Sequence, residues 1–179
     1  MRKFLMAAVA ACLCGLAAPA GAEVKLAAEG RLFLENTVVI DAPPAKVYAA
    51  LGQIGAWWDS DHTYTGKASN MTMKLEPGAC FCEAMPGGGG VKHGEVALAW
   101  PDKLVRITGA LGPLQDLGVV GALTFTLTAT PDGKTRVAQT YKVGGLDAAT
   151  LKGAPVFDRV IGGALPRLKA FVETGKAAG

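Results

Sequence analysis

Side chains able to carry chemistry are scarce in this sequence. Its 179 residues hold two histidines, His62 and His93, and four cysteines, two of which (Cys12 and Cys14) fall near the N-terminus. No Gly-x-Ser-x-Gly segment is present to carry a nucleophilic serine. The glycine run Gly87–Gly90 lacks the Gly-Lys-Ser/Thr ending of a phosphate loop. The two Cys-x2-4-Cys or His-x3-5-His pairs that usually mark a zinc site are missing as well, and no cofactor motif takes their place. No basic run occurs. Taking Arg2 and Lys3 from the 18 Lys+Arg leaves 16 against 15 Asp+Glu, so charge gives no case for nucleic acid. After the N-terminus no apolar run is long enough for a stable membrane span, and neither a repeat nor a linker divides the chain.

The N-terminus reads as a targeting segment. Met1-Arg2-Lys3 is a short basic start, Phe4 to Ala18 is almost wholly apolar, and Ala20-Gly21-Ala22 has the small residues of a cleavage site. The expectation is a secretory signal peptide over residues 1–22, cleaved near Ala22, and a periplasmic or secreted domain over residues 23–179. A lipid anchor at Cys12 is the alternative, since Val9-Ala10-Ala11 supplies the small residues that precede a lipidated cysteine. In the exported chain Cys80 and Cys82 are the remaining thiols, in an oxidising setting.

Period-two alternation dominates the middle of the sequence. Leu34, Asn36, Val38 and Ile40 share one face of a strand, which Asp41-Ala42-Pro43-Pro44 stops with helix-start chemistry. Val47, Leu51 and Ile54 recur at helical spacing, and Gly52 and Gly55 keep that region short. Met71, Met73 and Leu75 form a second strand; Val96, Leu98 and Trp100 alternate before the turn at Pro101-Asp102; residues 104–108 form another short strand. Leu123, Phe125, Leu127 and Ala129 face one way, Pro131-Asp132-Gly133 turns, and Val137, Gln139, Tyr141 and Val143 return. The period then changes. Val156, Val160, Ile161, Ala164, Leu165, Leu168, Phe171 and Val172 make one stripe of a helix over 154–174, which Gly162-Gly163 and Pro166 should loosen or kink. Strands in hairpin succession plus a long helix that must bury its stripe give an α+β two-layer domain.

This order resembles the START-like, helix-grip superfamily labelled SRPBCC, which includes the polyketide cyclase/dehydrase group and homologues of the heat-shock ATPase activator. The likeness runs from about Leu34 to Thr174. It is carried by "VVIDAPPAKVYAALGQIGAWW" (Val38 to Trp58), by "GALTFTLTATPDGKTRVAQTYKV" (Gly121 to Val143) and by the C-terminal helix. It implies a curved antiparallel sheet of about six or seven strands wrapped on the long helix, with short helices after the first strand. It also implies a cavity between sheet and helix for a hydrophobic or amphipathic small molecule, with Trp57 and Trp58 by its mouth. Fold alone does not decide activity. A chaperone-activating role conflicts with export, because that partner is cytosolic.

The segment "GACFCEAMPGGGGVKHGE" (Gly78 to Glu95) admits several readings. In a strand, Cys80 and Cys82 point to one face and Phe81 and Glu83 to the other. With Met85 opposite Val91, Cys82 opposes Gly94 and Glu83 opposes His93; a slip or bulge would bring Cys82 and His93 together. A Cys80–Cys82 disulfide would have to span roughly 6.6 Å between Cα atoms in an extended strand, at the far edge of bridgeable distances. The plain reading is two small strand residues and an exposed hairpin histidine. His62, flanked by Asp59 and Asp61, is either a general base, a metal ligand with Cys80 and Cys82, or a solvated residue of a capped turn. The apolar loop Gly109 to Gly118, with Leu111, Leu114 and Leu117, is either a lid or rim packing. Trp57, Trp58, Met73, Trp100, Leu114, Phe125, Tyr141 and Phe157 are the expected ligand-binding positions.

The leading expectation is an exported protein that binds an apolar or amphipathic small molecule. The alternatives are a cyclase, hydratase or lyase using His62, Cys82 or His93 as acid or base, and a metal- or redox-responsive protein built on Cys80 and Cys82.

Overall fold

The computed structural model describes residues 22–178. The signal-peptide reading and the lipid anchor at Cys12 therefore lie outside the described residues, apart from Ala22. Eight strands form one antiparallel sheet: β1 (Ala22–Ala28), β2 (Arg31–Ile40), β3 (Met71–Thr72), β4 (Cys80–Ala84), β5 (Gly90–Trp100), β6 (Leu104–Thr108), β7 (Val120–Ala129) and β8 (Thr135–Gly144). Their spatial order is β1-β2-β8-β7-β6-β5-β4-β3. Helices α1 (Pro44–Leu51) and α2 (Ile54–Trp57) follow β2, and α3 (Ala148–Leu151) precedes the long α4 (Ala154–Thr174).

One strand more than expected is present. β1 joins β2 through Glu29 and Gly30, both with positive φ (53° and 73°), the two-residue turn that suits a right-twisted hairpin. The expected strand from Met71 to Leu75 is shorter, ending at Thr72, although Met73 is buried beyond it.

Alternation places one apolar face inward across the sheet. Leu34 pairs with Tyr141, Tyr141 with Leu123, and Leu123 with Ile107, giving a buried row from β2 to β6. Val38, Val137 and Leu127 make a parallel row. Against this face lies α4, which buries Ile161, Ala164, Leu165, Leu168 and Val172 and stays helical through Gly162, Gly163 and Pro166. Its C-terminal half is tied down: Arg167 donates to the Trp57 carbonyl (3.2 Å), Lys169 to the Val39 carbonyl (2.8 Å), and Glu173 accepts from the Asp41 amide (2.7 Å). The result is an α+β helix-grip arrangement whose described residues share one buried apolar cluster.

Two bulges in β5 decide which of its side chains point inward. Ala97 is skipped in the pairing with β6, so Val96 faces inward opposite Ile107 while Leu98 and Trp100 turn to the outer face opposite Arg106 and Leu104. His93 is skipped in the pairing with β4, where Phe81 opposes Gly94 and Cys82 opposes Lys92. Gly94 allows this close approach, since a Cβ there would lie 2.7 Å from Ile107 Cγ2 and 2.8 Å from the Thr108 carbonyl.

Candidate functional site

The N-terminal part of α4 does not close down on the sheet. Val156 and Phe157, which belong to its apolar side, instead face a cavity of about 400 Å³ together with Val160 and Ile161. The opposite walls are Phe81 and His93 of the β4–β5 hairpin, Met71, Tyr141 of β8, the loop from Trp58 to Tyr64, and the segment Leu111 to Leu114. Trp58 packs edge-on to Phe81 (centroids 5.9 Å apart) and donates through Nε1 to the His62 carbonyl (3.2 Å). The loop segment is held in place by Tyr141, whose hydroxyl accepts from the Leu111 amide (3.0 Å), and by Gln115, which donates to the Lys92 carbonyl (2.9 Å). Burial pushes the Tyr141 phenol up to about 12, so it remains an O–H donor at neutral pH.

The polar centre of the wall is a pair. Glu83, fully buried on β4, accepts from the Tyr64 amide (3.1 Å), the Thr65 amide (2.7 Å) and His93 Nε2 (3.0 Å). Burial pushes its carboxyl up, but the hydrogen bonds from Thr65, Tyr64 and His93 outweigh that and hold it below the usual carboxylate range. His93 is itself 5 % exposed, with its ring between Phe81 (5.2 Å) and Tyr64 (5.9 Å). A carboxylate bonded to one nitrogen of a histidine on a cavity wall fixes the tautomer and supports any charge the ring acquires.

Among the expected ligand-binding residues, Trp58, Leu114, Tyr141 and Phe157 line the cavity, as do His62 and His93. Four others lie elsewhere. Trp57 and Phe125 pack edge-on in the filled core (6.4 Å), with Trp57 Nε1 donating to the Ala50 carbonyl. Met73 is buried outside the lining, and Trp100 is 59 % exposed because the bulge at Ala97 inverts its side. Leu111 and Leu114 lie over the cavity, whereas Leu117 is exposed.

Cys82 does not meet a histidine. The bulge that Gly94 permits carries His93 to Glu83, and the two cysteines stay on the other face of β4, joined as a disulfide with Cα atoms 5.3 Å apart. The chain is less extended there than the ideal strand that placed those atoms at the edge of bonding range. Facing away from the cavity and already bonded, Cys82 is not positioned as an acid, base or nucleophile toward it. For the same reason Cys80, Cys82 and His62 do not converge, and among the described residues no three His, Cys, Asp or Glu side chains are grouped to hold a metal. His62 sits at the rim, its Nδ1 3.4 Å from Asp59. The sequence sets Glu83 opposite His93 and on one face with Phe81 without marking it as a site residue; that shared inward phase with Phe81 is its signal.

Solved structures of similar shape bear on the fold. A conserved protein of unknown function, EF2215 from Enterococcus faecalis, matches over 88 % of this chain and 80 % of its own, with 15 % identity and a TM-score of 0.60. CalU16 from Micromonospora echinospora matches over 87 % and 84 %, with 16 % identity and a TM-score of 0.50. The Aha1 dimer from Colwellia psychrerythraea matches over 81 % and 98 %, with 22 % identity and a TM-score of 0.50. At these identities the likeness is one of fold. No family model and no curated protein matches the sequence.

Proposed function

We propose that this protein is a START-like, SRPBCC-type binding protein that holds an apolar or amphipathic small molecule between its sheet and α4. The observation that carries the reading is that the N-terminal part of the apolar helix side leaves about 400 Å³ beside it, walled by aromatic and aliphatic residues with few polar groups among them. Space of that size and character is what small-molecule sites use. Leu111 to Leu114 act as its cover, and Tyr141 and His93 orient the guest. The chain is exported through its N-terminal segment and works outside the cytosol, a setting in which the Cys80–Cys82 bridge persists. Among the described residues no helix is long and apolar enough to cross a membrane. The test is native mass spectrometry of the mature protein from the export compartment, compared with its denatured mass. A released adduct of a few hundred daltons is the expected result; a bare chain that also takes up no apolar probe would count against it.

One observation favours a second reading, an acid–base enzyme of cyclase, hydratase or lyase type. Glu83 and His93 form a buried carboxylate–imidazole pair on the cavity wall, an arrangement suited to accepting a proton from a bound molecule. Turnover of any bound compound that is lost in His93→Gln, with the compound still bound, would establish it.

A further inference from the structure

We infer that the cavity selects neutral molecules whose hydroxyl hydrogen bonds to His93 Nδ1, an alcohol, phenol or enol on an apolar body, over a carboxylate of the same shape. This rests on the binding function proposed above and narrows it. Three observations converge. Glu83 already receives the amide hydrogens of Tyr64 and Thr65 and accepts its third bond from His93 Nε2 at 3.0 Å. An ionised carboxylate can only accept, so the imidazole proton of the neutral ring sits on Nε2 and Nδ1 carries a lone pair.

Nδ1 is also unanswered. It has no hydrogen-bond partner among the described residues. The fully buried side-chain atoms left without partners there are Asn36 Oδ1, Gln139 Nε2 and Asp158 Oδ1. His93 Nδ1 is not one of them, so it keeps access to open space, on a residue that is 5 % exposed and forms part of the cavity wall. An acceptor held in such a place is completed by a donor on whatever fills the cavity.

Charge makes the third point. Among the described residues no lysine or arginine lines the cavity; the titratable groups facing it are Asp61, His62, Tyr64, His93 and Tyr141, with Glu83 directly behind His93. A carboxylate brought inside would lose water without gaining a fixed cation, and would feel the negative field of Glu83 and Asp61. A hydroxyl incurs little of that cost and satisfies Nδ1.

The test titrates the mature wild-type chain calorimetrically with 2-naphthol, 2-methoxynaphthalene and 2-naphthoate, which share a ring system and differ in donor and charge. One neutral hydrogen bond predicts naphthol binding up to about tenfold tighter than its ether, with naphthoate weakest. Naphthol, and not the ether, should shift the ¹⁵N resonance of His93 Nδ1, which the His62→Gln variant identifies by elimination because the chain has two histidines. In His93→Leu the preference for naphthol should vanish. That variant also deprives Glu83 of its third donor, so the wild-type ¹⁵N shift stands as an independent readout. Equal binding of naphthol and ether with no shift at Nδ1, or tightest binding of naphthoate, overturns the hydroxyl inference and leaves the cavity function standing. Failure of all three to bind overturns both.

Discussion

Replacing Glu83 by leucine keeps most of the side-chain volume and removes the acceptor for three donors. His93 Nε2–H is buried, so leaving it unpaired costs about 1–3 kcal/mol. The Tyr64 and Thr65 amides lie in a partly buried loop and recover water, which adds roughly 1 kcal/mol for the lost charge-assisted bonds. The sum, about 3 kcal/mol, corresponds to a fall in Tm of roughly 6–12 °C for a domain of this length. The pH dependence separates this account from a mere packing defect. The folded Glu83 carboxyl is held low, against about 4.3 in an unfolded chain. Stability from a depressed carboxyl is fully present above the unfolded value and is lost as pH falls through the folded one. The carboxyl's own share of the stability gap between wild type and Glu83→Leu is therefore fully present above about pH 5 and is lost below about pH 4. Other depressed carboxyls, Asp132, Asp147 and Glu173, are present in both chains and cancel in the difference. Urea unfolding of both proteins across that range is the assay. A gap under about 0.5 kcal/mol at pH 7, or one as large at pH 3 as at pH 5, would refute the reasoning.

Gly94→Ala forces a methyl to 2.7 Å from Ile107 Cγ2 and should cost about 1–3 kcal/mol in thermal unfolding, as overpacking does. Trp57→Ala should cost about 3–5 kcal/mol, whereas Trp100→Ser on the exposed outer face should stay within about 0.5 kcal/mol; denaturant midpoints compare the two directly. Under non-reducing conditions the intact chain should weigh two hydrogens less than after reduction, a difference abolished in Cys82→Ser. Because the bridge closes so short a loop, that variant should lose under about 2 kcal/mol of stability by urea unfolding. Tyr141→Phe removes the acceptor of the Leu111 amide, so amide exchange at Leu111 should quicken by about fivefold, the equivalent of one neutral hydrogen bond of about 1 kcal/mol.

What could be read from the sequence divides along physical lines. Helix α4 was legible to the residue because its stripe recurs over 21 positions, and the β7–β8 hairpin because Pro131-Asp132-Gly133 interrupts two long alternations. β1 was not read: its six residues after Ala22 adjoin a segment whose targeting signal is stronger than its alternation, and Glu29-Gly30 is a modest turn signal. Trp100 was misplaced because period-two reasoning assumes that every residue takes part in pairing, and a bulge adds one that does not. The Glu83–His93 pair was half visible. A regular register already set the two opposite each other, but burial of the histidine depends on Gly94, which acquires meaning only when Ile107 of β6 is brought alongside. The cavity was implied by the resemblance alone; periodicity could not show it, since Val156 and Phe157 have the same apolar character whether they pack or line a void.

The two bulges in β5 make that strand behave like a reading frame. Lys92 lies outside, Gly94 and Val96 inside, Leu98 and Trp100 outside again, so the phase is shifted at His93 and restored at Ala97. Loss of Ala97 would straighten the ladder and leave Leu98 opposite Arg106 and Trp100 opposite Leu104, on the outer face they already occupy. Loss of His93 would likewise leave Gly94 opposite Phe81 and Lys92 opposite Cys82 while erasing the imidazole from the cavity. Deleting either extra residue therefore keeps its neighbours on their own faces, whereas deleting a paired residue between the bulges would turn part of the strand over. A lineage could thereby shed its polar cavity group in one small genetic step and still keep its sheet.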